Sequence, residues 1–295
     1  MAALRHRAGP AAVAGDNVRP LRNENAGIED ARIGDAGQDA GRDDGQASTV
    51  VGRLEAILAS FDGSDRALAL SEISHRVGLP KSTVHRLASQ LCAVGWLERN
   101  SGGYRVGLKL LELGSVALQR TGLRDVAFRH LHSLAQRTGL AVHLGILDHG
   151  EVVYLDRVVT ARVALPTRVG GREPAYCTAL GKAMLAFEDP ASQAAALKGM
   201  RRRTEFTITE PRAMQAALDG ARETGSAYDR EEAYRGIVCI ASPIRSGGRA
   251  IGAVSVTGPA ARMRAHSLVH EVRNTALAVW SAEVVPLPRP LLRAR

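Results

Sequence analysis

Aromatic residues make up only 4% of this 295-residue chain, and cysteine occurs just three times. Cys92, Cys177 and Cys239 are odd in number and far apart, so neither a disulfide framework nor a CxxC metal or redox pair can be drawn, and a reducing cytoplasm is the expected home. No apolar run approaches the roughly 18 residues that a membrane-crossing helix needs. Residues 1–20 mix Gly, Ala and Arg without an apolar h-region, so secreted and membrane readings are both excluded as expectations. Enzyme signatures are equally scarce. There is no GxSxG or HExxH, and Gly181-Lys182 lacks P-loop spacing and has Ala183 where a Mg-binding hydroxyl would stand. His130 and His132, two residues apart on a helix, point roughly 200° apart and do not converge on a metal. No catalytic residue, metal or cofactor is therefore expected.

What is present suits a globular protein of two modest domains and a tail: 45% apolar residues and a net charge of +9. The basic excess suggests polyanionic partners but is spread along the chain. Residues 1–47 hold six arginines, eight acids and six Leu, Ile or Val, and residues 48–110 amount to about +3. The first stretch has too few apolar groups to build a core and reads as a disordered tail.

From residue 49 onward Val50, Leu54, Ile57, Leu58 and Phe61 recur at helical spacing, with Ser48 or Thr49 as N-cap. A second helix fits residues 70–77, with Ser71 as its cap and Gly78 as its stop. A third fits residues 80–94, entered through Pro80, left at Gly95 and burying Val84, Leu87, Leu91 and Val94. Helix, tight turn and amphipathic helix have the proportions of a helix-turn-helix. Residues 96–99 and 104–106, joined by Asn100-Ser101-Gly102-Gly103, read as a small hairpin, or wing. A leucine-rich helix over about 108–120 would connect to a second domain. There the pattern gives helices near 123–137, 178–187, 191–198, 211–224 and 259–283, and two strand pairs at 141–147 with 152–159 and 238–244 with 251–257. Two antiparallel hairpins with helices outside them make an α+β domain.

The third helix opens on Lys81-Ser82-Thr83-Val84-His85-Arg86. Lys81 and Arg86 can pair with phosphates or guanine acceptors, and Ser82, Thr83 and His85 can donate to phosphate or base. The helix N-terminus itself favours a phosphate nearby. Arg99 and Arg105 of the hairpin could reach flanking phosphates or the minor groove. The bland alternative, a solvated helix face, stays open on these residues alone. Arg201-Arg202-Arg203 reads as a solvated loop.

Leu79-Pro80-Lys81-Ser82-Thr83-Val84-His85-Arg86-Leu87, then Gly95 and Tyr104-Arg105-Val106-Gly107, closely resemble the DNA-binding region of IclR-family transcriptional regulators. Cys177-Thr178-Ala179-Leu180-Gly181-Lys182-Ala183, Asp229-Arg230-Glu231-Glu232, Gly236–Pro243 and Val254–Pro259 resemble that family's effector domain. The resemblance spans about residues 48–285. It implies a mixed fold, with an all-α N-terminal winged helix-turn-helix carrying a small β-wing over 48–106 and a linker helix over 107–122. A C-terminal α+β GAF-like domain with an antiparallel sheet follows over 123–285, and then a tail over 286–295. It also implies double-stranded DNA with a palindromic operator as partner, a homodimer or a tetramer built as a dimer of dimers, and a small-molecule effector, a carboxylate or aromatic acid. Alignment on Gly181-Lys182 puts Ala179 and Leu180 against that effector, with Asp229, Cys239, Ser255 and Thr257 around it and Leu165 and Glu173 as further members. Cys239 and Ala179 could equally be core residues, and Ser255 and Thr257 exposed hydroxyls on one strand face. Departures from the family pattern are Tyr176 in place of a common His, Ser226 in place of an aromatic, and Ser74-His75 in the second helix.

Two other readings are compatible with the residues. In one, the second domain is an enzyme acting on a small organic acid, with Cys177 or Cys239 as nucleophile near Asp229 and the first domain as an oligomerisation module. In the other, the chain is a structural DNA binder without an effector.

Overall fold

The computed structural model describes residues 49–61, 66–119, 122–160, 165–263 and 265–282. The two expected tails, 1–47 and 286–295, lie outside them.

The N-terminal module packs α1 (Val50–Ala59), α2 (Leu70–Val77) and α3 (Lys81–Ala93) around Ile57, Leu68, Ile73, Val84, Leu87 and Leu91. Each helix starts for a local reason. Thr49 caps α1 by accepting the Gly52 N–H, while Pro80 sets an extended entry into α3. Ser71 does not cap α2: Ala69 is the N-cap and Ser71 sits in the first turn, because the apolar face pulls Leu70 into the helix ahead of it. Gly78 takes φ +67° and turns the chain sharply from α2 into α3. Ser74 Oγ donates to the Leu79 carbonyl at 2.6 Å and so ties α2 to this turn.

The wing is β1 (Leu97–Asn100) paired antiparallel with β2 (Gly103–Val106). Leu68 adds a one-residue bridge to Tyr104, exchanging two backbone hydrogen bonds of 2.9 Å. Gly103 is required there, since at φ +125° a Cβ would lie 2.3 Å from the Leu68 carbonyl oxygen. Next comes α4 (Leu108–Gln119), whose Leu108, Leu111, Leu113 and Val116 are exposed.

The C-terminal domain is a six-stranded antiparallel sheet in the order β5-β4-β3-β8-β7-β6. Its strands are β3 (Ala141–Asp148), β4 (Glu151–Val158), β5 (Arg172–Pro174), β6 (Ala227–Arg230), β7 (Ile237–Ser246) and β8 (Arg249–Pro259). The two expected hairpins are thus central pairs of a wider sheet. The edge strands β5 and β6, at three and four residues, are too short for a period-two pattern to betray them. One face packs on α5 (Leu123–Thr138) and α9 (Ala265–Ser281), and the other on α6 (Ala179–Leu185) and α8 (Pro211–Thr224), with α7 (Pro190–Ala196) between those two in the chain. The last helix begins six residues later than periodicity predicts: β8 runs through Pro259 and a 3-10 turn, Ala260–Arg262, intervenes.

A bulge in β4 divides its side chains unevenly between the two faces. Tyr154 faces Gly145 and Asp156 faces Leu144, so Leu155 is the extra residue. Val152 and Tyr154 join the α6 side, whereas Leu155 and Val158 join the α5 side.

Candidate functional site

Packing decides which residues of α3 face outward. Burial of Val84, Leu87, Ala88 and Leu91 leaves Lys81, Ser82, His85 and Arg86 exposed and Thr83 half-buried on the flank. No acidic residue occupies the first turn of α3, so nothing there opposes an approaching phosphate. Arg99 and Arg105 are both exposed on the wing, but they stand on opposite faces of it: Arg105 pairs with Glu98, and Arg99 with Tyr104. The Arg99 guanidinium lies over the Tyr104 ring at 5.6 Å and is partly fixed by it.

The second site begins with a glycine. Helix α6 lies against the 3-10 turn Ala175–Cys177 so closely that a Cβ on Gly181 would sit 2.2 Å from the Ala175 carbonyl oxygen. Thr178 caps α6, accepting the Gly181 N–H at 3.1 Å. The helix is buried throughout, and its Lys182, 2% exposed, meets Glu232 with Nζ to Oε1 at 2.5 Å.

Strand register then assembles polar groups that are distant in sequence. Asp229 stands opposite Cys239, and Cys239 opposite Thr257, giving one row across β6, β7 and β8; Ser255 stands opposite His143 in the next row. With Leu165, Ala179 and Leu180 these residues line a narrow cleft of about 30 Å3. Thr257 Oγ1 donates to Cys239 Sγ at 3.3 Å and lies 3.3 Å from His143 Nδ1; His143 Nε2 lies 2.9 Å from Thr167 Oγ1. Burial holds the His143 imidazole down to about 3, so it is neutral at physiological pH. Asp229, 2% exposed, accepts the Glu232 N–H at 2.7 Å. Burial lifts its carboxyl to about 7, with Lys182 pulling the other way.

Several expectations change here. Ser255 and Thr257 are buried against the cleft, not exposed. Glu173 is not among the lining residues; it stands behind them, its Oε1 accepting the Tyr234 hydroxyl and its Oε2 the Arg203 guanidinium at 2.8 Å. Arg203 therefore does not belong to a solvated loop, although Arg201 and Arg202 do. It also lies over the Tyr234 ring, which lines the cleft. His143, Tyr154, Thr167, Thr178, Tyr234 and Ile237 line the cleft without any signal in the sequence that marks them for it. Each is an ordinary residue locally, and only register and loop placement bring it in. Tyr176 hydrogen-bonds the Arg201 carbonyl at 2.9 Å and takes no part in the lining. Ser226 meets Ser242 at 3.2 Å in the core.

The thiols do not suit nucleophilic chemistry. Burial pushes Cys177 to about 12 and Cys239 well above the usual thiol range, so both stay protonated. Among the described residues no group of three or more His, Cys, Asp or Glu could hold a metal, and no helix is long and apolar enough to cross a membrane.

A winged helix-turn-helix followed by an α+β domain with a polar internal cleft is the build of a two-domain DNA-binding regulator. Residues 50–101 match the IclR helix-turn-helix domain, and residues 115–281 match the C-terminal domain of the bacterial transcriptional regulator IclR. The chain belongs to the IclR family of transcriptional regulators. It is 35% identical over 243 residues to the HTH-type transcriptional regulator KdgR of Escherichia coli, covering 80% of this chain and 90% of that one. It is 37% identical over 239 residues to the glycerol operon regulatory protein of Streptomyces griseus, covering 77% and 93%. Its fold resembles the crystal structure of an IclR homolog complexed with 4-hydroxybenzoate from Microbacterium hydrocarbonoxydans, with TM-score 0.71, 32% identity and coverage of 79% and 98%. Thermotoga maritima IclR follows at TM-score 0.65, 30% identity and coverage of 78% and 97%. The relatives are named regulators of transcription, not enzymes, which does not favour the enzyme reading.

Proposed function

We propose that this protein controls transcription by holding operator DNA through α3 and the wing, and that a small organic acid, a carboxylate or aromatic acid, shifts that hold. The division of labour is 48–106 for DNA, 107–122 as connector and 123–285 for the effector. On DNA, Lys81, Ser82, Thr83, His85 and Arg86 enter the major groove, and Arg99 and Arg105 reach the flanking backbone. In the cleft, Ala179, Leu180, Asp229, Cys239, Ser255 and Thr257 surround the effector with Leu165 beside them. Glu173 positions Tyr234. The protein works in the cytoplasm as a homodimer or a dimer of dimers on a palindromic operator; the exposed apolar side chains of α4 support a second copy there.

The observation that carries this reading is the buried polar row Asp229–Cys239–Thr257 along the wall of the cleft. Their hydrogen bonds to one another, to His143 and to the Glu232 N–H hold these polar groups in fixed positions along the cleft wall, where an occupant can meet them. A ligand-bound relative, crystallised with 4-hydroxybenzoate, supports an acid as occupant. The test is a gel-shift titration at several salt concentrations, with and without small acids. Arg86→Ala is expected to weaken operator binding about tenfold or more and to reduce the salt slope by about one. Asp229→Ala is expected to leave operator affinity intact and blunt the ligand response. Unchanged operator affinity in Arg86→Ala would remove Arg86 from the interface.

A further inference from the structure

The cleft is too small for an acid such as benzoate: about 30 Å3 gives room for about two water molecules. An effector therefore enters only if part of the wall gives way. Most of the wall is fixed. Strand pairing holds His143, Asp229, Cys239, Ser255 and Thr257, and a helix buried throughout holds Ala179 and Leu180. Tyr234 is held twice, by its hydroxyl on Glu173 and by the Arg203 guanidinium over its ring. What remains is Leu165, Pro166 and Thr167. The chain just beyond them is anchored on the bulged strand β4, where the Gly170 N–H donates to the Tyr154 carbonyl at 2.8 Å and the Tyr154 N–H donates to the Gly171 carbonyl at 3.1 Å. Among the described residues, Leu165, Pro166 and Thr167 themselves make one hydrogen bond, that between Thr167 Oγ1 and His143 Nε2 at 2.9 Å.

That bond ends a chain with a fixed direction. Thr257 Oγ1 donates its proton to Cys239 Sγ, so at its 3.3 Å contact with His143 Nδ1 it accepts. His143 therefore carries its proton on Nδ1. Burial keeps the imidazole neutral, which leaves Nε2 as an acceptor, and the Thr167 hydroxyl donates to it. The chain Thr167–His143–Thr257–Cys239 thus runs from the loop across β3 and β8 to β7, each donor meeting one acceptor. With the loop in place, the Nε2 of a histidine that is 1% exposed is satisfied; with the loop displaced, it has lost its donor.

We propose that Thr167 is the latch of the cleft: its hydroxyl, bound to His143, holds Leu165, Pro166 and Thr167 against the cleft, and an effector enters when that bond is broken. This rests on the acid-effector reading and deepens it by naming what controls entry. Thr167 is a positioning residue, acting through His143. Its bond lowers the apparent affinity for any effector by the fraction of molecules in which the cleft is open.

Cys239 reports the opening without any acid present, because it lines the cleft and iodoacetamide is larger than the closed cleft. Labelling of the full chain is followed by peptide mass spectrometry, at one mildly alkaline pH, in the parent, Thr167→Val and Thr167→Ser. Thr167→Val keeps the shape of the side chain without its donor and is expected to label Cys239 about fivefold faster, the effect of one neutral hydrogen bond. Thr167→Ser keeps the donor and is expected to stay within about twofold of the parent. Cys177, wholly buried, is the control for general loosening and is expected to label at the parental rate in both variants. An unchanged Cys239 rate in Thr167→Val, an equal acceleration in Thr167→Ser, or acceleration of Cys177 in step with Cys239 would overturn the latch. Because no acid takes part in the labelling, that failure leaves the acid-effector reading to be decided separately by the gel-shift titrations.

Discussion

Asp229 and His143 show how burial changes what a side chain does. The Asp229 carboxyl is lifted to about 7, so the native state holds its proton more tightly than the unfolded chain does. Its contribution to stability is complete below about pH 4 and is lost as pH rises through 7. His143 works the other way: held down to about 3, it contributes fully above its ordinary value of 6.5, and that contribution is lost as pH falls. The two offset one another between about pH 4 and 6.5, so the informative quantity is the difference between variant and parent. For Asp229→Asn that difference is expected to move in the variant's favour by a few kcal/mol between pH 4 and 7 and then to level off. Denaturant unfolding at half-unit pH steps measures it, and a flat difference would contradict the assigned burial cost. The resemblance alone singles out Asp229, but its raised pKa cannot be read from the sequence. Arg203 escapes sequence reading for a related reason: within Arg201-Arg202-Arg203 all three look alike, and only the fold sets one of them against Glu173.

At the scale of elements, β4 is the piece that joins the cleft to the connector. Tyr154 on its α6 side lines the cleft, with its ring 5.3 Å from that of His143. Two residues on, past the bulge, Asp156 accepts from Arg124 in the first turn of α5 at 3.2 Å. α5 is entered through Gly122 at φ +57°, just after the connector. A ligand that shifts β4 by pressing on Tyr154 would therefore pull on the start of α5. Arg124→Ala is expected to leave effector affinity within about twofold of the parent and operator affinity unchanged, while reducing the factor by which effector alters operator binding. Paired titrations with each ligand present and absent give that factor, which must be the same read from either side. A full response in Arg124→Ala would show that β4 does not carry the signal. The long helices are readable because their apolar residues keep the 3.6 period over several turns. The bulge is not, since one extra residue leaves no mark in a run as apolar as Val152-Val153-Tyr154-Leu155.

At the scale of the whole molecule, α4 leaves a leucine face in solvent: Leu108 is 70% exposed and Leu111 68%. Apolar side chains concentrated along one connecting helix are more than the scatter of a monomer surface. Leu111→Glu is expected to lower the solution mass by light scattering and to weaken operator binding through loss of the paired DNA-binding modules; an unchanged mass would place the assembly contact elsewhere. By itself the sequence determined the two-domain plan and the helix-turn-helix. Helical periodicity, Gly and Pro punctuation and short motifs are local, and local physics suffices to read them. Only the tertiary structure decided that Asp229, Cys239 and Thr257 form one row, that His143 and Tyr154 join them, and that Glu173 stands behind Tyr234. These facts depend on which strands lie side by side and in what register, and register is set by the burial of whole sheet faces, which no short stretch of chain contains.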